Sequence, residues 1–392
     1  MNPNDLNFKI TYGGWYQRTT LHLSEVYDLL ARGSSNLKLS PEKLKEFQKL
    51  FEIKEISREA GYLEFIKART ESGIEIRYYE DGLYILEIES RDIHSADAIL
   101  ENYFENIFNP ALSYIFSQGA PTPKVLANIK TAHPVVVSLQ SEEPQNFEVP
   151  SAFGEVYSKI ISHKIVVDKT PKFIFVVSST DSKNVISELV EMQIFFREFK
   201  DQLEKYLNIH RTIWEEIADI KERKSIPGRE VEEIRGRLDS YQKTISLISN
   251  RINQMGSYIR TRSSVAKGLN LEEELKTLFQ FKFEVLADTL DYIKEIWKMT
   301  SDYLASAVFN IIEIKNQGTS RGIQSLQVIT SVGVISGIIG YLARNELPSV
   351  TAIGVIYFAV IILATWLINY LIGKFYKNKK YNLKFSDTLK DI

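Results

Sequence analysis

"SLQVITSVGVISGIIGYLARN" (residues 325–345) is long enough to cross a membrane as a helix, yet it carries Gln327, Thr330, Ser331 and Ser336. Unpaired polar groups are costly in hydrocarbon, so a helix that serves only as an anchor avoids them. A few residues later, "VTAIGVIYFAVIILATWLINYLI" (residues 350–372) has the anchor's composition, with no charge over 23 residues. It reads as a transmembrane helix, and the uncharged run 323–342 reads as a second. The contrast decides the fold. A helix with a polar stripe beside one that is apolar throughout is the pairing expected where the first lines a watery path and the second faces lipid.

At helical intervals Gln324, Gln327, Ser331, Val334, Ile338, Tyr341 and Asn345 fall on one stripe, polar at both ends and apolar in the middle. We read it as pore-lining, with the glutamines forming a wetted vestibule and Val334 and Ile338 forming the closed gate, since narrow apolar rings exclude water. The alternative is that Gln and Ser hydrogen-bond neighbouring helices together with no path between them. Thr330, Gly333, Gly337 and Gly340 form a second stripe, whose Gly333/Gly337 pair suits close helix contact. One copy cannot enclose a pore, so several chains must assemble.

Lys374, Lys377, Lys379, Lys380 and Lys384 follow the second span, and Lys315 and Arg321 precede the first. By the positive-inside rule both termini are cytoplasmic, which makes this a multi-pass protein of the cell membrane with a short outer loop. The boundaries read as 1–180 for a cytoplasmic α/β domain and 181–321 for a helical stalk. They continue as 322–343 for the first span, 344–349 for the loop, 350–373 for the second span and 374–392 for a basic tail.

Within the first domain, "GYLEFIKART" (61–70), "GIEIRYYE" (73–80) and "GLYILEIES" (82–90) alternate apolar and polar residues between glycine-containing turns and predict an antiparallel meander. "HPVVVSL" (133–139), "ISHKIVV" (161–167) and "KFIFVVSS" (172–179) predict three more buried strands. Residues 95–116 have helical spacing with a break expected at Pro110, and the paired glycines of "YGGWY" (12–16) predict a turn or bulge. After Asp181 no further strands are expected. Helical tracts are separated at Pro227-Gly228 and at "KGLN" (267–270), and a third tract, if continuous from Leu271 to Leu342, would run ~110 Å.

The net charge of −2 gives no field for bulk nucleic-acid binding. The chain has no cysteine, and its five histidines are scattered without ligand spacing, which excludes a disulfide framework, a thiolate metal site and a cysteine nucleophile. No Ser-His pair or phosphate loop supports catalysis, so no enzyme is expected, and no basic-then-apolar leader is visible at the N-terminus.

With its α/β domain, stalk and two C-terminal spans, the chain resembles the CorA family of divalent-cation transport proteins. The resemblance implies a homopentamer whose first transmembrane helix lines the pore, carrying ions, most plausibly cations such as magnesium. The family's Gly-Met-Asn motif is absent; "GYLARNELP" (340–348) stands in its place, and Asn345 alone carries over. Arg344 at a pore mouth would repel cations, so magnesium selectivity does not follow from the resemblance. CorA-like proteins without the motif include a branch associated with type III CRISPR defence and switched by nucleotide second messengers, which makes a messenger-gated membrane effector the alternative function. A non-conducting membrane scaffold is the third.

Three further candidate sets remain. Glu284, Asp288, Asp291 and Glu295 share a face of the long helix and could hold divalent cations between subunits, or be a solvated face. On the opposite face Leu286, Leu290, Ile293, Trp297, Leu304, Val308 and Ile311 form a packing seam, whose last three members are also a rival constriction. Trp15, Tyr16 and Arg18, with Arg260 and Arg262, offer the aromatic and guanidinium groups that an anionic nucleotide needs, or are ordinary packing.

Overall fold

The computed structural model describes residues 7–16, 22–119, 134–162, 165–179, 183–223, 225–342 and 352–382, although within the helices some side chains, those of 338–342 among them, fall outside it. The N-terminal part is a mixed α/β fold and the remainder is long helices.

A nine-stranded sheet is built from β1 (Phe8–Trp15), β2 (Ile53–Ala60), β3 (Glu64–Thr70), β4 (Glu75–Tyr79), β5 (Leu83–Ser90), β6 (Val135–Gln140), β7 (Ser158–Ser162), β8 (Ile165–Lys169) and β9 (Phe173–Ser178). Its order is β2-β3-β4-β5-β1-β6-β9-β8-β7. The meander predicted over 61–90 is present as β3, β4 and β5. Along β3, Ile66, Ala68 and Thr70 are buried while Lys67 and Arg69 are exposed, the period of two that a half-buried strand imposes. Gly73 and Gly82, at φ 87° and 91°, occupy the turns between these strands, where a Cβ would be strained. β6 and β9 run parallel, and every other pair in the sheet is antiparallel.

Three local expectations are corrected. "ISHKIVV" is not one strand: its halves belong to β7 and β8, which pair Ser162 with Ile165 across a two-residue connection. "YGGWY" is not a turn: Gly13 and Gly14 lie inside β1, opposite Ile85 and Tyr84. The Tyr84 ring covers Gly14 so closely that a Cβ would sit 2.7 Å from its Cζ. The helix over 95–116 does not break at Pro110. It runs as α3 (Ile93–Tyr103), widens into a π turn (Phe104–Phe108) and continues as α4 (Asn109–Gly119). Proline lacks an N–H and crowds the carbonyl four residues back, and the wider turn absorbs both defects.

With α1 (Leu23–Arg32) and α2 (Pro41–Phe51), these helices close one face of the sheet. Leu29, Leu30, Leu100 and Leu112 pack there with Ile10, Ile76, Leu86, Val137 and Phe175.

The later helices are α5 (Lys183–Glu222), α6 (Gly228–Gly268), α7 (Glu272–Phe279), α8 (Phe283–Leu342) and α9 (Ala352–Asn378). The breaks at Pro227-Gly228 and after Gly268 fall where the sequence put them. The third tract is not continuous from Leu271, because Gln280 takes a left-handed φ of 60° and ends α7. The aromatic run at 279–283 drives this break: Phe281 stacks on Phe196 at 4.2 Å, and Phe279 and Phe283 are buried. Strands also recur late, since β10 (Ser225–Pro227) pairs with β11 (Lys380–Asn382).

The chain divides into two units, Met1–Ile209 with Ile248–Glu295, and His210–Leu247 with Ile296–Ile392. Among the described residues, no helix is long and apolar enough to cross a membrane. The uncharged runs of the sequence at 323–342 and 350–372 both include residues or side chains outside that description.

Candidate functional site

α8 is unbroken over 60 residues, about 90 Å of helix. Its packing seam is as expected: Leu286, Leu290, Ile293, Trp297, Leu304 and Ile311 are buried, and Val308 is half-buried. Of the three members of the rival constriction, Leu304 and Ile311 are buried within their own chain and Val308 keeps part of its surface. Glu284, Asp288, Asp291 and Glu295 are exposed, with Asp291 bound to Lys294 at 2.8 Å. Among the described residues, no three acidic or histidine side chains converge to hold a metal.

Sequence reasoning missed the apolar residues woven into that acidic face. Val285, Tyr292 and Met299 are exposed at seven-residue spacing, and Phe309 and Ile312 are exposed further on. The heptad spacing was readable, but the acids between them masked it.

Farther along α8, Gln324, Gln327 and Ser331 are exposed, and so is Val334 at 55%. Ile338 and Tyr341 lie on the same helix with side chains outside the described set, and Asn345 lies outside the described residues. Among the described residues, nothing lies within 4 Å of a Cβ placed on Gly333 or Gly337, where the sequence predicts close helix contact. In α9, Ile356, Val360, Leu363, Leu367 and Leu371 are exposed on one face, and Ile362, Trp366, Tyr370 and Phe375 on others.

The aromatic and basic candidates of the first unit are partly brought together. Trp15 at the end of β1 stacks on Phe199 at 5.3 Å and meets Tyr258 edge-on at 5.8 Å. Its indole Nε1–H donates to the Asp81 carbonyl at 2.7 Å. Arg262, fully buried on α6, donates to both carboxylate oxygens of that same Asp81, at 2.6 and 2.9 Å. Burial works against the Arg262 charge, but Asp81, with Glu191 and Tyr79 nearby, outweighs it and holds the guanidinium's pKa above its usual value. Tyr16 points elsewhere, donating to Asn109 Oδ1 at 2.7 Å. Arg260 is exposed two residues from Arg262, and Arg18 lies outside the described residues.

Next to Asp81 is a second buried cluster that the sequence did not reveal. Arg77 of β4 pairs with Glu191 of α5 at 2.8 Å and with Glu87 of β5 at 3.1 Å. Tyr79 donates to Glu191 at 2.6 Å, and the Arg262 guanidinium lies over the Tyr79 ring at 4.7 Å. Burial, with Glu191 beside it, raises the Tyr79 phenol well above its ordinary range. In the alternation of β4 and β5, Arg77 and Glu87 stand at polar positions beside Glu75 and Glu89, so nothing in the pattern signals their burial. Together these contacts clamp α5 and α6 to the sheet.

No protein-family model matches the chain, and no curated protein matches it. Among solved structures, the complete CorA magnesium transporter of Methanocaldococcus jannaschii aligns at 9% identity and a TM-score of 0.29, covering 64% of this chain and 93% of that one.

Proposed function

We propose that the chain is a subunit of a CorA-like, homo-oligomeric membrane channel that passes ions, most plausibly cations, and is gated through its N-terminal α/β domain. The observation that carries this reading is the surface of α9. Among the described side chains, its large apolar residues are exposed across more than one face, and such a helix is not stable against water without lipid or protein around it. The uncharged run from Val350 supports lipid as that surrounding. Trp366 and Tyr370, stacked at 5.9 Å, precede Lys374 and Lys377, the order of an aromatic anchor followed by a basic flank at a cytoplasmic boundary.

The continuity of α8 supports the channel reading over a plain anchor. One helix carries the buried seam of the stalk and, farther on, the exposed Gln324, Gln327, Ser331 and Val334. Polar side chains at membrane depth mark pathways. The exposed heptad of Val285, Tyr292 and Met299 supports assembly of several copies along the same helix, and five is the number that the CorA resemblance implies.

Carbonate extraction of membranes tests insertion. Flux of a monovalent and a divalent cation into proteoliposomes tests conduction, with magnesium or a nucleotide messenger added to separate the two modes of gating. A chain extracted by carbonate is not a membrane channel, and an inserted chain with no flux under any of these conditions is a scaffold.

A further inference from the structure

The turn between α5 and α6 is tied to the end of α9. Ser225, Ile226 and Pro227 pair with Asn382, Tyr381 and Lys380, and the Gly228 N–H donates to the Lys379 carbonyl at 3.0 Å. Ile226 is fully buried in this patch. Arg223 and Arg229 flank β10 in the chain, and with Arg237, Glu230, Glu233 and Ile234 they line a cavity of about 430 Å³.

Three guanidinium groups and two carboxylates, Glu230 and Glu233, face the cavity, and the arginines differ in how tightly they are paired. Glu230 is shared by Arg223 and Arg229 at 3.7 Å each, beyond hydrogen-bond length for both. Arg223 also meets Asp219 at 3.1 Å, and Arg237 meets Glu216 at 3.2 Å, but among the described residues Arg229, 71% exposed, has only the shared contact. Lys379 and Lys380 lie on the strand side, and the positive end of the 41-residue α6 begins at Gly228. A planar guanidinium with an unfilled fork is suited to phosphate oxygens, which it can grip in pairs.

We propose that this cavity binds a phosphate-bearing anion. Because β11 begins two residues after α9 ends, the expected source is the headgroup of an anionic lipid. That choice of source rests on the membrane reading above, whereas the anion site does not.

The test uses the full chain in neutral detergent, with two probes: tripolyphosphate by calorimetry, and phosphatidylglycerol against phosphatidylcholine by native mass spectrometry. Binding of phosphatidylglycerol, tighter than that of tripolyphosphate and not shared by phosphatidylcholine, is expected. The double variant Arg229→Gln/Arg237→Gln should weaken it at least about tenfold, and Arg229→Gln alone about threefold. The single variant guards against misfolding, since Arg229 is exposed. Tripolyphosphate binding that falls in the same variants, with no binding of phosphatidylglycerol, would keep the site and make the source soluble. Failure of both probes to bind the parent, or equal binding to parent and variants, overturns the proposal. Carbonate extraction of a chain that still binds tripolyphosphate would remove the membrane reading and leave the anion site standing.

Discussion

Asp81 organises more of the first unit than its place in a β-turn suggests. Its carboxylate neutralises the fully buried Arg262 and its carbonyl holds Trp15. Removing one partner of a buried pair leaves an uncompensated charge, a loss of about 3–5 kcal/mol, whereas replacing both by apolar groups of similar size is often neutral. Asp81→Asn should therefore lower the thermal midpoint sharply, while Asp81→Leu combined with Arg262→Met should recover most of it. A small shift for Asp81→Asn would mean that the pair is hydrated in solution. Glu198 supplies a pH dependence. Burial pushes its pKa from 4.5 up to about 7, despite the Arg197 guanidinium 2.9 Å away. A raised folded pKa favours the protonated form, so the stabilisation is complete below about 4.5 and is lost as pH climbs through about 7. The loss across that window is on the order of 3 kcal/mol. Melting curves between these pH values should converge for Glu198→Gln and diverge for the parent, and parallel curves would refute the assignment.

At the scale of elements, strand and helix limits were largely written in the residues, because alternation and breakers are local properties. The β3–β5 meander and the Pro227-Gly228 break are examples. What escaped was whatever depends on distant partners. Nothing near Gly14 shows that Tyr84 will lie over it, and nothing near Gln280 shows that Phe281 will stack on Phe196 and end the helix. The buried Arg77–Glu191 pair joins residues 114 positions apart, and only the completed register brings them together. The same blindness applies to the candidate site: the polar stripe of α8 was legible from spacing alone, whereas the burial of Arg262 was not. Two glycines separate these cases experimentally. Gly14→Ala should destabilise by roughly 1–3 kcal/mol, because the ring above it must move. Gly236 sits inside α6 with nothing within 4 Å of its Cβ position, and Gly236→Ala should stabilise by up to about 1 kcal/mol. Equal shifts in the two melting midpoints would mean that Tyr84 does not cover β1.

For the whole molecule, the channel proposed above raises the question of where ions are stopped in the closed state. Two zones of α8 could do it, and the burial of its side chains separates them. In the stalk, Leu304 and Ile311 are committed to their own chain, so a constriction there would draw on the half-buried Val308 or the exposed Phe309. Beyond the stalk, Gln324, Gln327 and Ser331 are followed outward by Val334, with Ile338 one turn later on the same stripe. Repeated by symmetry, Val334 and Ile338 would form two adjacent apolar rings above a polar vestibule, and such rings block ions by excluding water. Val334→Ser and Ile338→Ser should each raise basal flux in proteoliposomes, because a hydroxyl lets water into the ring. Ser331→Ala should leave flux unchanged, since that level is already outside the barrier. Phe309→Ser serves as the stalk control and should remain as closed as the parent. If the Val334 and Ile338 variants stay silent while Phe309→Ser leaks, the barrier lies in the stalk and the two apolar rings do not form it.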